Sequence, residues 1–480
     1  MDKAIPEPVK LSREIRMSDE CTSLLRSKYP IDSLENWYYT GIPPKQEISM
    51  KGGCVKETLE TLADLTCIDK TDDLWFSPNT LRAFKGRPEC FSPLSQQNPS
   101  SDRANCSSVH VTATPHRISL HVAHTCNLNC SYCYANGGNY QLHESKMTAK
   151  TAIESLAKWF SKTEAFEPDE YEILFFGGEP FLAIETMIKA AEYARQRKGD
   201  RVRFSLCTNG TLVNERILFF MREFQPSIMV SIDGPKASHD RYRITKDNSS
   251  SFEHLERNLP LLMEHASHAI ARSTITRDNS DLDVIYEEVQ RFGFSDWFFK
   301  PAIPINSTAA SIAPDRAKLS DSVNSCYTRM FEEMLTGKKT MSRHLSDVAY
   351  RILFRIKKTK YCELGRFPSV LPNGMISPCH RFVADDTLQA KLEDWNPVRH
   401  FLQAPMRDKR CLHCWVQYLC GGGCFADRQL DDSDPEEVDG LCWFRKATAL
   451  LIVKRLSSLD TGKLDELGTR LIENVMKVNP

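Results

Sequence analysis

Three observations predict an α/β fold built on a parallel sheet. Six short apolar runs follow one another from about Arg117, helix-length segments separate most of them, and the residues suited to chemistry fall at their carboxyl ends. Arg117–His124 alternates apolar and polar residues and leads into a cysteine loop. Met147–Lys162 carries Ile153, Leu156, Trp159 and Phe160 at helical spacing. Tyr171–Phe176 ends in Gly177-Gly178-Glu179-Pro180, and Val202–Cys207 in Thr208-Asn209-Gly210. Ile228–Ile232 ends in Asp233-Gly234-Pro235, Ile270–Ile275 in Thr276-Arg277-Asp278, and Trp297–Lys300 at Pro301. Strands that alternate with helices pair in parallel through right-handed crossovers. In barrel-like folds of this kind the chemistry sits where the strands end.

The flanks differ from this core. Residues 1–110 hold Cys21, Cys54, Cys67, Cys90 and Cys106 at no ligand-like spacing, with a helix expected over Val55–Leu65. Ser92–Asp102 is polar and turn-rich and reads as a linker. Beyond the sheet, a helical segment is expected over 321–360, a Cys-rich segment over 361–450, an apolar helix over Phe444–Leu456 and a charged helical tail to 480. The core itself is assigned to 111–320. A length of 480 residues accommodates such a division, and a hydrophobic fraction of 41% suits globular cores.

Net charge is −1, so no overall basic field draws nucleic acid or an anionic membrane. No basic patch interleaves with aromatics, and Arg272, Arg277 and Lys300 at strand ends suit an acidic peptide side chain equally well. No apolar run is long enough to span a bilayer, and the start lacks a signal core, so a cytoplasmic location is expected. In a reducing compartment 17 cysteines point to metal or cluster binding rather than to disulfides.

The first chemistry-bearing motif is Cys126-x3-Cys130-x2-Cys133, with Tyr132 just before the last cysteine. Three thiolates are one fewer than a cubane iron–sulfur cluster needs, which leaves one iron open to a small molecule. At the end of the next strand run, Gly177 and Gly178 allow close approach to the backbone, and Glu179 offers a carboxylate to an ammonium group. Asn209 and Ser231 suit ribose hydroxyls or a cofactor carboxylate. Asp233 is the candidate substrate-contacting or proton-accepting group. Asn-Gly and Asp-Gly also serve as plain turns, which is the alternative for Asn209 and Asp233. A second set follows: Cys362-x11-Gly374-x4-Cys379, then Cys411-x2-Cys414-x5-Cys420-x3-Cys424, then Cys442. Pairs of the C-x2-C type also occur in zinc sites, but seven ligands are awkward for one tetrahedral ion.

Taken together, these motifs over roughly residues 115–450 resemble the radical S-adenosylmethionine (SAM) enzymes that carry a C-terminal SPASM domain. The resemblance implies a partial (β/α)6 TIM-type barrel with a [4Fe-4S] cluster on Cys126, Cys130 and Cys133. It implies that Glu179 contacts the SAM amino group and that Ser231 lies near the cofactor. Two auxiliary clusters, expected to be [4Fe-4S], would be held by Cys411, Cys414, Cys420 and Cys442 (outer) and by Cys362, Cys379 and Cys424 (inner). Many members add a fourth inner ligand just upstream; Phe354–Tyr361 has no cysteine. The inner cluster then has an open iron or borrows a remote thiol such as Cys326, whose plainer reading is a helical core residue. Ten cysteines are so assigned; Cys207 is among the seven left over.

Within the family, His121-Val-Ala-His124 and the long N-terminal stretch look most like maturases that build thioether crosslinks. These are the maturases of the quinohemoprotein amine dehydrogenase small subunit and of six-cysteine peptides. The implied activity is abstraction of a hydrogen atom from a polypeptide by a 5′-deoxyadenosyl radical, followed by a cysteine sulfur-to-carbon bond. The implied partners are a polypeptide with cysteine and acidic residues and an external one-electron donor of flavodoxin or ferredoxin type. Formylglycine generation, carbon–carbon crosslinking and, in another class, simple electron transfer are the rivals.

Overall fold

The computed structural model describes residues 13–14, 16–18, 21, 66–72, 74–78, 81–85, 116–166, 168–302, 312–336, 341–358, 360–362, 364–365, 367–396, 408–428 and 441–477. The helix expected over Val55–Leu65 and the Ser92–Asp102 linker lie outside them. Among the described residues before 116, β1 (Arg13–Glu14), β2 (Thr66–Asp69), β3 (Leu74–Ser77) and β4 (Arg82–Lys85) form an antiparallel sheet in the order β1-β4-β3-β2. Its buried residues Leu74, Phe76 and Ala83 join the main core. Phe76 meets Trp415 edge to face, and Lys454 pairs with Asp69 (2.5 Å) and Asp72 (2.9 Å). These contacts seat the small sheet on the C-terminal part of the chain.

All six apolar runs are strands: β5 (Arg117–His124), β7 (Tyr171–Gly177), β8 (Val202–Thr208), β9 (Ser227–Ser231), β10 (His268–Ile275) and β11 (Asp296–Pro301); β6 (Ser145–Lys146) is a short antiparallel partner of β5. The six pair in parallel in the order β5-β7-β8-β9-β10-β11. Helices such as Ala149–Thr163, Ile184–Lys198, Glu215–Phe224, Ser251–Met263 and Leu282–Arg291 connect them. The alternation decides which side chains go where. On β8, Val202, Phe204 and Leu206 pack into the core, while Ser205 and Cys207 point the other way, into the barrel. Leu156, Trp159, Ile217, Phe220, Leu259 and Ile285 supply the helical half of that core.

Helix starts are set by local capping: Thr148, Asn214, Ser250, Asp281 and Asp315 each accept a hydrogen bond from a backbone N–H in the first turn. The sheet does not close. β12 (Met341–Ser342) ends it beside β11, and beyond β5 it continues into β13 (Ser369–Val370), β14 (Met375–Ser377) and β15 (Ala390–Lys391). β13 pairs in parallel with β5, so the Cys-rich segment extends the barrel sheet itself. The apolar helix is Cys442–Ser458 and the tail helix is Thr461–Lys477. Among the described residues no helix is long and apolar enough to cross a membrane.

Candidate active site

One large cavity, of about 1510 Å³, occupies the barrel and reaches the Cys-rich segment. Cys126, Cys130, Cys133, Cys362, Cys379, Cys420 and Cys424 all line it. Charged thiols repel one another only over short range, so their mutual influence maps the groups. Burial pushes Cys126 up to about 12, with Glu179 and then Cys130 and Cys133 adding to it. Cys379 is likewise pushed up to about 12 by burial, with Cys362 and Cys424 contributing. Cys411 is pushed up to about 11 by burial, with Cys420, Cys414 and Cys442 contributing. These influences sort the ten thiols into sets of three, three and four. Cys326 belongs to none of them: it is 0% exposed in the helix Arg316–Leu335, beside Asp283 and Arg329.

The chemistry of these sets fits iron–sulfur clusters. Thiols pushed up by burial, as Cys126, Cys379 and Cys411 are, ionise when a cation compensates them, and iron would supply that charge. Among the described residues, no three His, Cys, Asp or Glu side chains stand close enough together to hold a single metal ion. A cubane instead takes one thiolate at each of several separate irons. Cys126, Cys130 and Cys133 would hold one cluster at the mouth.

Glu179 is fully buried. Its Oε1 accepts from Phe181 N–H (3.1 Å) and the Thr208 hydroxyl (2.9 Å), and its Oε2 from Asn209 N–H (2.8 Å). Burial pushes it up to about 7 despite these donors, and no Lys, Arg or His among the described residues pairs with it. Arg243 acts on it only from a distance, without an ion pair, so the buried carboxylate suits an incoming ammonium group. Gly177 and Gly178, which line the cavity, are compelled by packing. Gly177 has φ +141°, and a Cβ there would lie 2.2 Å from the Ala123 carbonyl oxygen; one at Gly178 would lie 2.2 Å from that of Thr125. The close approach keys the GGEP turn against the cysteine loop.

Asn209 is nine-tenths buried and spends its side chain on the same joint. Its Nδ2 donates to Asn127 Oδ1 (2.9 Å) and lies 3.7 Å from Cys126 Sγ, while its Oδ1 accepts from Thr211. Ser231 lines the cavity at the end of β9 with no side-chain hydrogen bond among the described residues. Tyr132 also lines it, and its hydroxyl donates to Asp233 and accepts from Arg243 Nη1 (2.9 Å). Asp233 is 2% exposed and, like Glu179, sits behind the residues that line the cavity. Its partners are Tyr132, Thr274 N–H (2.8 Å) and Arg243 (3.9 Å), so its carboxylate braces the Cys130 side of the loop. Burial raises its pKa, and Arg243 and Tyr132 oppose that rise.

Sequence reasoning missed several wall residues. Arg243 is buried next to Cys130, and His380 and Arg381 follow Cys379. The Arg381 guanidinium sits 4.5 Å over the Tyr134 ring, and His380 lies 4.9 Å from Phe176 and 5.9 Å from Tyr134. The two thiol loops therefore touch through aromatic rings. Lys358 is buried and lies near both Cys420 and Cys362, between the outer and inner sets. No spacing rule marks any of these side chains; only the packed loops bring them inward.

A parallel β/α sheet with a three-thiol loop at its carboxyl end defines a class. Residues 120–284 match the family model described as the Radical SAM superfamily. The chain is 30% identical over 370 residues to the radical SAM cyclopropyl synthase TigE of Paramaledivibacter caminithermalis, covering 73% of this chain and 76% of that protein. The chain belongs to the radical SAM superfamily, enzymes whose cofactors are SAM and a [4Fe-4S] cluster. It is also 24% identical over 328 residues to the cysteine-type anaerobic sulfatase-maturating enzyme of Clostridium novyi, covering 63% of this chain and 86% of that one. The solved structure described as native anSMEcpe with bound AdoMet shares the fold, with a TM-score of 0.60 at 19% identity over 71% of this chain and 98% of that one.

Proposed function

We propose that this enzyme is a SPASM-type maturase that acts on a polypeptide and joins a cysteine sulfur of that polypeptide to one of its carbons. The polypeptide half of this reading is supported by the relatives named as sulfatase-maturating enzymes. The thioether half rests on one observation: Cys362, Cys379 and Cys424 form an inner set of three thiols on the same cavity as the Cys126 loop, with Cys326 held elsewhere. A cluster on three thiolates leaves an iron open to a substrate thiolate.

When bound, SAM on the Cys126 cluster supplies the 5′-deoxyadenosyl radical that takes a hydrogen atom from the substrate. The protein's part is to bind, orient and shield. Glu179 meets the methionine ammonium, and Gly177 and Gly178 let the turn that carries Glu179 pack against the cysteine loop. Ser231 offers its hydroxyl from the end of β9. Tyr132, Asp233 and Arg243 hold the loop that carries Cys130, with Asp233 a positioning residue rather than a proton acceptor. Cys411, Cys414, Cys420 and Cys442 would hold the outer auxiliary cluster. The reading requires an external one-electron donor of flavodoxin or ferredoxin type. It keeps residues 1–110 as an N-terminal extension for peptide recognition or as a cap on the barrel mouth, 111–320 as the barrel, 321–360 as a helical connection, 361–450 as the cluster-bearing domain and 451–480 as a terminal helix and tail.

A second reading, carbon–carbon bond formation, is favoured by the similarity to the cyclopropyl synthase. Formylglycine formation is favoured by the similarity to the sulfatase-maturating enzymes. Mass spectrometry separates the three after anaerobic incubation of reconstituted enzyme with SAM, dithionite and synthetic Cys-containing polypeptides. A thioether removes a pair of hydrogens and consumes a thiol that iodoacetamide no longer finds. A carbon–carbon bond removes the hydrogens and leaves the thiol. Formylglycine loses the sulfur. The first outcome supports the proposal, and either of the others overturns its thioether half.

A further inference from the structure

Most cations around the cavity are already neutralised within the protein. Arg117 pairs with Glu172 (3.3 Å), Arg203 with Glu170 (3.0 Å), Arg343 with Asp296 (3.3 Å) and Lys358 with Asp347 (3.6 Å). Lys300 and Arg381 share the fully buried Asp427 (2.5 and 3.1 Å). Arg277 pairs outside the barrel with Asp278 (3.9 Å). Arg272 differs. It lines the cavity from the carboxyl half of β10, in register with Ser231 on one side and Phe298 on the other. No carboxylate among the described residues lies within ion-pair reach of it.

Its neighbours are neutral. The guanidinium is 5.9 Å from the Phe298 ring and faces the Cys207 thiol, whose burial-driven rise it opposes. It also lies close enough to influence Tyr134, next to Cys133, and His380, next to Cys379. The charge thus stands between the SAM-site loop and the inner thiol loop, on the wall a substrate must pass. An arginine has five donors in a planar fork that matches a carboxylate. A half-buried guanidinium without a counterion favours an anionic partner.

We propose that Arg272 is a substrate-binding residue that holds a carboxylate of the polypeptide, an Asp or Glu side chain, between the two thiol loops. This rests on the maturase reading above and adds the residue, Arg272, that would hold the substrate's acidic side chain, and its place between the two thiol loops. The same chemistry could be met by the carboxylate of SAM, so the test separates the two sources.

Full-length, anaerobically reconstituted enzyme with SAM is used to select from a synthetic library of Cys-containing octapeptides. The best binder is compared with its Asp→Asn or Glu→Gln counterpart by fluorescence anisotropy. The expected result is enrichment of an acidic residue and a loss of about tenfold in affinity on amidation, the size of a charge-assisted contact. Arg272→Gln should bind the acid and amide forms alike and Arg272→Lys should fall between, while SAM affinity by equilibrium dialysis stays within about twofold of wild type. The comparison on wild-type enzyme holds even where Arg272→Gln fails to fold.

Selection of peptides without acidic preference would overturn the role of Arg272 and leave the polypeptide reading standing. Selection of no peptide would overturn the polypeptide reading itself. A fall of about tenfold or more in SAM affinity on Arg272→Gln would assign the carboxylate to SAM instead.

Discussion

Glu179 and Asp233 are two buried carboxylates with different company. Glu179 is held by neutral donors alone, and burial leaves it at about 7 against an ordinary 4.5. Between those values the folded chain binds more protons than the unfolded one, so Glu179's contribution to stability falls as pH rises from 4.5 to 7. Binding an ammonium requires the ionised form. SAM affinity of the cluster-loaded enzyme should therefore rise by about tenfold per pH unit toward neutrality and level off above it. Glu179→Gln should weaken SAM binding by about tenfold or more and flatten that profile, as equilibrium dialysis across pH would read. Asp233 instead faces Arg243 and Tyr132. Asp233→Ala leaves the guanidinium buried without its carboxylate, an expected loss of about 3 kcal/mol in thermal unfolding of the apo chain. Asp233→Asn keeps the acceptor for Thr274 N–H but presents an NH2 to the Tyr132 hydroxyl, and should cost about half of that. The sequence marked both carboxylates through their turns. It did not reveal Arg243, because nothing in His239-Asp-Arg-Tyr-Arg243 distinguishes the arginine that turns inward from the one that stays outside.

Among the elements, the joint between the cysteine loop and the GGEP turn carries the most consequence. Gly178 and Gly138 pack backbone to backbone there, and a Cβ on Gly178 would meet Thr125 O at 2.2 Å and Gly138 Cα at 2.8 Å. Backbone cannot give way as a side chain can, so Gly178→Ala must shift one of the two loops. The expected outcome is an intact fold that loads less iron on the Cys126 set. SAM-dependent changes in the electron paramagnetic resonance of that cluster would be lost while auxiliary signals persist. The six strands and their connecting helices were readable because alternation and helical stripes are local patterns. The N-terminal antiparallel sheet was not read: β2, β3 and β4 are only four residues each, too short for periodicity to declare them.

Across the whole molecule, the barrel and the Cys-rich segment are one structure. β13 extends the sheet at β5, and Asp427 ties β11 to the inner thiol loop through Lys300 and Arg381. Removing that carboxylate leaves two cations facing each other across a buried gap. Asp427→Ala should lower apo-chain stability by about 3 kcal/mol in denaturant unfolding and reduce iron retained on the inner set. An unchanged unfolding midpoint would show that the tie is dispensable.

The sequence by itself determined the class of sheet and marked ten thiols and the Glu179 carboxylate as the candidate site, because strand periodicity and residue spacing are properties of nearby residues. Tertiary structure alone decided that Asp233 meets Tyr132 and Arg243, that Cys326 lies in a helix beside Asp283 and Arg329, and that Arg272 is the strand-end cation with no carboxylate partner among the described residues. Each of those outcomes depends on which charges fold against which, and that pairing joins residues far apart in the chain.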